Sequence, residues 1–436
     1  MELTSVCEMD CYGDDRDALD GFARYFNCQN FSDVTLIVCD ELFYAHKLIL
    51  VKSSEVFERM LSQQWNGEKK EIELVEDRLC AKVFPAFLRF LYCNHVVLTP
   101  DDALPMLILA DKYNVPSLRK VCIDYATNHI IPKLCLKDNF HVWFQYGSKC
   151  FHLALVTQCV NILAAHFQDI ISHQDWEREW LTLDREQLMI FLKTSDLTVA
   201  SEYELWQAVA RWIQSPSHPE RRGTAAEKNL AALLPLIRFP LMTADELYQL
   251  ERCPLVEQYQ KLFQQHLLLA YKYQALPLSS RASSREFTSS QFLLRNYTEL
   301  RWDKRVILPD VPSMLRYSET TIKITTRASA VPPAQPWDWE LKIHPKGFSN
   351  ASDEFRCTLV SNVILDQTRP VEYLLSVVDE KKILRSVFGK KIFSKTRYSQ
   401  DLEMDKKISV DDITAENSPL LVNSDLIMQL TMRPIE

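Results

Sequence analysis

The chain has 436 residues, 47% hydrophobic and 25% charged, the composition of globular protein and enough length for two or three domains. Its net charge of −8 argues against nucleic acid as a principal partner, because phosphate binding needs a basic face. The seven glycines lie too far apart to cradle a phosphate, which disfavours nucleotide chemistry.

Residues 1–16 are polar and acidic and read as a disordered tail. Leu19, Phe22, Ala23 and Phe26 then mark one face of a short helix. Val34, Leu36 and Val38 alternate with Thr35 and Ile37, Asp40-Glu41 punctuates, and Leu42-Phe43-Tyr44 resumes an extended run. That pattern predicts a β-hairpin. His46-Lys47 leads into a first helix. Ser53-Ser54 offers an N-cap for a second, carrying Val56, Phe57, Met60 and Leu61. Lys70 to Leu74 alternates as a strand, and Leu79 to Tyr92 is an amphipathic helix that Pro85 should start or kink. Val96-Val97-Leu98 reads as a short strand. Thr99-Pro100-Asp101-Asp102 is a helix start with Thr as cap and Pro in the first turn. Helices are expected over 104–113 and 117–130.

Residues 131–275 are helical in pattern. Ser201 and Glu204 have the spacing of a capping box for a helix through Trp206 and Trp212, whose rings should be core. Residues 276–314 lose periodicity and read as a linker. From 315 the period becomes two. Strand candidates at 321–325, 339–343, 355–365, 371–377, 383–388 and 426–432 predict an antiparallel β-sandwich.

Three motifs carry resemblances. The stretch Asp33-Val34-x-Leu36-x-Val38, Phe43-x-Ala45-His46-Lys47-x-x-Leu50, Ser54-x-x-Phe57-x-x-Met60 resembles the BTB (POZ) domain. Ser195 to Trp212 and Leu233 to Met242 resemble the BACK domain. Trp339-x-Leu341-Lys342-Ile343-x-Pro345-x-Gly347 is similar to the MATH/TRAF sandwich. The implied fold class is α+β multidomain: BTB at 17–130, all-α BACK at 131–275, and a TRAF/MATH-like sandwich at 315–436. The resemblance implies a homodimeric interaction adaptor, not an enzyme, that recruits a client protein to a cullin-3 ubiquitin ligase. A non-ligase oligomeric scaffold or a secreted glycoprotein is the alternative. It implies a dimer interface at Leu19, Phe22, Ala23 and Phe26, with Asp33, His46 and Lys47 near the axis. It implies a cullin surface at Leu61, Trp65, Glu68 and Tyr113, although Gly67 stands where the family's hydrophobic-x-Glu motif expects the acid.

No run of 18 apolar residues predicts a membrane helix. The first residues lack a secretion signal, and the 12 cysteines are dispersed, so a cytoplasmic setting is expected. Asn30-Phe31-Ser32, Asn296-Tyr297-Thr298 and Asn350-Ala351-Ser352 have the form of glycosylation acceptors, which keeps the secreted alternative open. No cofactor or metal is expected. Cys150, His152 and Cys159 form the tightest ligand cluster, but Cys150 and His152 should fall on different helix faces. Residues 315–436 hold 17 Lys+Arg and 17 Asp+Glu. Within them, Lys381, Lys382, Arg385, Lys390, Lys391, Lys395 and Arg397 follow one another with no acid between. The run is either a solvated strand pair or a platform where an acidic, extended client peptide adds as a strand.

Overall fold

The computed structural model describes residues 21–62, 70–330, 333–349, 354–363, 365, 367–402, 408–415 and 417–435. The chain forms two compact units, Met1–Ile162 and Leu163–Glu436.

The first unit is built on a three-stranded sheet, with β1 (Val34–Val38) between β2 (Glu41–Ala45) and β3 (Glu71–Leu74). β1 pairs antiparallel with β2 and parallel with β3. Val38 faces Glu41, so the hairpin turn is Cys39-Asp40, one residue earlier than the acidic pair suggested. Both turn residues have positive φ, +47° and +67°, as a two-residue turn matched to the strand twist requires. Val34, Leu36 and Val38 are buried, so one face of β1 is core.

Two short helices follow, Lys47–Ser53 and Glu55–Leu61. Ser54 Oγ accepts the Phe57 N–H at 3.1 Å, as expected of an N-cap, and donates to the Tyr113 carbonyl at 2.5 Å. The cap therefore ties this helix to the end of the Pro100–Lys112 helix. Asp77 caps the Arg78–Cys93 helix by accepting from the N–H groups of Leu79 and Cys80. Pro85 lies inside that helix, beyond its first turn, which leaves the second of the two expected roles, a kink in the helix interior. Residues 96–98 pair with no strand among the described residues, and Val97 is exposed, so the strand expected there does not form. Thr99 caps the next helix as expected.

The helical stretch expected to begin a new domain at 131 instead starts inside the first unit. Its residues Tyr146 and His152 hydrogen-bond Asp111 of the Pro100–Lys112 helix, at 2.5 and 2.6 Å. Hydrogen bonds therefore join the helices on either side of residue 130.

In the second unit, Ser201 caps the Glu202–Gln214 helix through the Glu204 N–H. The capping box is only half formed, because the Glu204 carboxylate accepts from Gln168 Nε2 at 2.7 Å. Trp206 and Trp212 are core residues: Trp206 packs on Phe263, and Trp212 Nε1 donates to the Leu183 carbonyl. Two-residue strands β4 (Thr198–Val199) and β5 (Asn296–Tyr297) pair in parallel. The remaining strands are β6 (Asp303–Leu308), β7 (Thr320–Thr326), β8 (Trp337–His344), β9 (Arg356–Ser361), β10 (Arg369–Val378), β11 (Ile383–Phe393), β12 (Ser399–Leu402), β13 (Leu421–Val422) and β14 (Asp425–Pro434). Among the described residues they form two sheets. One runs β11-β10-β14-β13 with β6 also on β14, and the other runs β12-β9-β8-β7. Trp337, Trp339, Phe393, Tyr373 and Leu430 belong to one continuous core.

The expected linker at 276–314 is built into this unit. It contains the Leu278–Ser283 helix, β5 and β6, and β6 is a full member of the larger sheet. The reason lies in its polar side chains, whose partners are distant in sequence and so left no periodic trace.

Candidate interaction surfaces

Leu19 lies outside the described residues. The segment 21–31 lies along the first unit and is fixed by specific contacts. Asn27 Oδ1 accepts the Tyr44 N–H at 2.9 Å. The Phe26 ring meets Tyr92 edge-on at 6.1 Å, and Tyr25 meets His46 at 6.0 Å. His46 Nε2 lies 3.1 Å from the Asn30 carbonyl, which can only accept, so in the neutral ring Nε2 carries the proton. Nδ1 is then the acceptor for the Tyr92 hydroxyl at 2.8 Å, and that hydroxyl accepts the His46 N–H at 3.1 Å. Burial pushes the Tyr92 hydroxyl up to about 12, so it stays protonated and can donate.

The rings expected at a dimer interface divide into two kinds. Phe26 is half-buried against its own unit, and Ala23 is half-buried as well. Phe22 is 41% exposed, with Lys52 Nζ 5.8 Å from its ring centre. Tyr25 is exposed too, Phe31 is 85% exposed and Leu48 is 78% exposed. Asp33 Oδ1 accepts the main-chain N–H of Lys47 at 2.7 Å, satisfying one free amide at the start of the Lys47–Ser53 helix. Tyr92 and Asn27 complete this surface and were not singled out. Helical spacing alone reads Tyr92 as one more apolar position of its helix.

Trp65 and Glu68 lie outside the described residues. Leu61 and Tyr113, expected to line a groove with them, are buried, and Tyr113 is 1% exposed. The Tyr113 ring stacks on Phe57 with centroids 4.6 Å apart, and its hydroxyl donates to Glu76 Oε1 at 2.5 Å. Its ring is spent on the core, which corrects its assignment to an outward surface. Cys150 and His152 also differ from expectation. They flank Phe151, whose φ is +58°, in a turn after a helix, and both come close to Asp111.

In the second unit the deepest polar cluster surrounds Glu202. Its Oε1 accepts from Arg295 Nε at 2.7 Å and from the Tyr297 hydroxyl at 2.8 Å, and its Oε2 accepts the Arg238 N–H at 3.0 Å. Arg295 also donates to the carbonyls of Thr194, Leu192 and Leu236. Burial works to raise the Glu202 carboxyl, but the charges of Arg295 and Arg238 outweigh it and hold the group below the ordinary carboxylate range.

The basic run follows β11, an edge strand of the larger sheet. Lys381 and Lys382 sit in the turn before it, their N–H groups donating to Asp379 Oδ1. Arg385 Nη1 donates to Asp412 Oδ2 at 2.7 Å, and Lys390 stands opposite Glu372 on β10. Val387 and Phe393 face the core, so by strand alternation Lys391 lies on the core side of the strand and exposed Lys390 on the outer side. The run is therefore divided between a turn, an ion pair and two strand faces. It does not form one platform.

The family model for the BTB/POZ domain matches residues 22–130, and that for BACK (BTB And C-terminal Kelch) matches 141–252. The chain carries a BTB/POZ domain followed by a BACK domain. It is 28% identical to BTB/POZ domain-containing protein 17 of Xenopus laevis, over 64% of this chain and 57% of that protein. Its identity to the Mus musculus protein of that name is 32%, over 63% and 55%. To galectin-3-binding protein of Mesocricetus auratus it is 26%, over 70% and 51%. The chain spans about half the length of the curated relatives it matches. The exposed rings Phe22, Tyr25 and Phe31 belong to the BTB domain, and the Glu202 cluster begins in the BACK domain. BTB and BACK domains give the chain the architecture of a protein-interaction adaptor. Among the described residues, no helix is long and apolar enough to cross a membrane.

Proposed function

We propose that the chain is a homodimeric adaptor that presents a client protein to a cullin-3 ubiquitin ligase. The observation that carries this reading is the set of exposed apolar side chains Phe22, Tyr25, Phe31 and Leu48 on the BTB domain, with the Tyr25 and Phe31 rings 6.4 Å apart. Aromatic rings grouped on a surface are characteristic of interface cores. The occupant is a second copy of the same face, as two-fold assemblies require of a self-complementary patch. Trp65 is the cullin anchor and Glu68 its acidic neighbour; a tryptophan suits an interface hot spot. The C-terminal sandwich, read as TRAF/MATH-like, takes the client, and the adaptor works in the cytoplasm.

The test is affinity purification of the tagged full-length chain with light scattering on the product. The reading expects a dimer that retains cullin-3, and a Trp65→Ala variant that keeps the dimer and loses cullin-3. A glycosylated, secreted oligomer without cullin-3 would overturn it. That outcome would favour the non-ligase scaffold or secreted glycoprotein.

A further inference from the structure

Asp111, Cys150 and His152 bring a carboxylate oxygen, a thiol sulfur and an imidazole nitrogen within 4.8 Å of one another. Three features of the chain converge them. Asp111 lies near the end of the Pro100–Lys112 helix. The short Gln145–Lys149 helix ends at Cys150, whose N–H donates to the Tyr146 carbonyl. The chain then reverses through Phe151 at φ +58°, and the His152 N–H donates to the Gly147 carbonyl at 2.9 Å. A bulky residue in the left-handed region is uncommon and costs on the order of 1–3 kcal/mol. Here it turns Cys150 and His152 to the same side. Gly147 permits the close packing behind them: a Cβ there would stand 3.2 Å from Leu155 Cβ and 3.3 Å from Val156 Cγ2.

The donors are also oriented. Arg119 Nε donates to Asp111 Oδ1 at 2.6 Å, which leaves Oδ2 aimed at His152 Nε2, 2.6 Å away. The Tyr146 hydroxyl donates to the same Oδ2 at 2.5 Å. A carboxylate held by an arginine and a tyrosine is the kind of supported ligand that metal sites use.

We propose that Asp111, Cys150 and His152 form a three-ligand site for zinc, with the fourth tetrahedral position open to water. The donor set decides the metal. One sulfur, one nitrogen and one oxygen suit Zn2+, whereas Mg2+ and Ca2+ demand oxygen throughout. On binding, Zn2+ displaces two protons: that of the Cys150 thiol, which leaves to solvent, and the one His152 Nε2 donates to Asp111 Oδ2, which is given up to solvent while Nδ1 takes one up, so the ring stays neutral and offers Nε2. The ion would join the Pro100–Lys112 helix to the turn at 150–152, two parts of the first unit distant in sequence.

The test titrates the full-length protein, first freed of metal, with Co2+ as a spectroscopic substitute and then with Zn2+. The expected result is one equivalent of cobalt with a thiolate-to-metal charge-transfer band, bleached by zinc. Cys150 is exposed, so Cys150→Ser should keep the fold, remove the band and weaken zinc binding about tenfold or more. His152→Gln should weaken binding likewise. Cys135→Ser, which alters another exposed thiol, should leave the titration unchanged. Survival of the band in Cys150→Ser, its loss in Cys135→Ser, or no stoichiometric binding by a folded protein would overturn the site and leave the cluster as a hydrogen-bonded brace.

Discussion

Two short segments of this chain lie outside its regular helices and sheets for most of their length, and they end in opposite states. Residues 285–301 run through the second unit with all three of their aromatic rings in the core and only Leu300 among their large apolar side chains exposed. Phe287, Phe292 and Tyr297 are buried, and Arg295 is paired with Glu202. Gln429 of β14 holds the segment by donating to the Phe292 carbonyl at 3.1 Å and accepting the Leu294 N–H at 3.0 Å. Residues 21–31 are also pinned, through Asn27, Phe26 and His46, yet Phe22, Tyr25 and Phe31 remain in water. The first segment is a finished internal brace. The second satisfies its polar groups within the chain and leaves its apolar surface for something else. Exposed rings indicate a partner only where the rest of the segment is well fixed, because a loose segment could fold them away.

The comparison is broken most directly at Glu202. Glu202→Ala leaves Arg295 and Arg238 buried without their acid, and removing one member of such a group costs about 3–5 kcal/mol. Urea unfolding followed by tryptophan fluorescence should show that loss in the second unit; an unchanged midpoint would mean the segment is not a brace. Acid should act at the same point. The native Glu202 carboxyl lies below its ordinary value, so its stabilisation is complete above the unfolded value of about 4.3 and fades as pH falls through the lower native one. The wild type should therefore lose stability on acidification more steeply than Glu202→Gln, and parallel pH curves would contradict this account.

Gly389 gives a smaller effect in the sandwich that the brace enters. A Cβ there would lie 2.3–2.5 Å from the outer ring atoms of Tyr373, the residue opposite it on β10. Gly389→Ala should destabilise by about 1–3 kcal/mol, as overpacking does, and Tyr373→Leu in the same chain should recover part of that. Thermal melts of the two variants decide it, and additive losses would refute the contact.

In the segment 21–31, two phenylalanines four residues apart should behave differently. Phe26→Ala loses the edge-on contact with Tyr92 and should cost about 1 kcal/mol. Phe22→Asp should change stability by no more than about 0.5 kcal/mol, yet convert dimer to monomer in light scattering. A stable dimer from Phe22→Asp would remove the proposed interface. The smallest effect is expected at the basic strand. Lys390→Glu should leave the melt unchanged and lower retention of acidic clients at low salt, with the difference vanishing at high salt. Lys391→Glu, on the opposite strand face, should do less; equal losses would restore the idea of a single platform.

The sequence by itself determined the local pieces: the hairpin, the caps at Ser54, Thr99 and Ser201, the tryptophan-lined helix and most of the sandwich strands. Each is set by alternation, helical spacing or a side chain bonding an amide two or three residues away, all of which can be read within a dozen residues. Only the tertiary structure decided that Tyr113 is core, that 276–314 is no linker, and that Asp111 joins Cys150 and His152. Arg295 and Glu202 stand 93 residues apart, and His152 and Asp111 stand 41 apart. A polar side chain carries no periodic mark of its partner, so its role is fixed only when the packed chain places the two together and burial makes their separation costly.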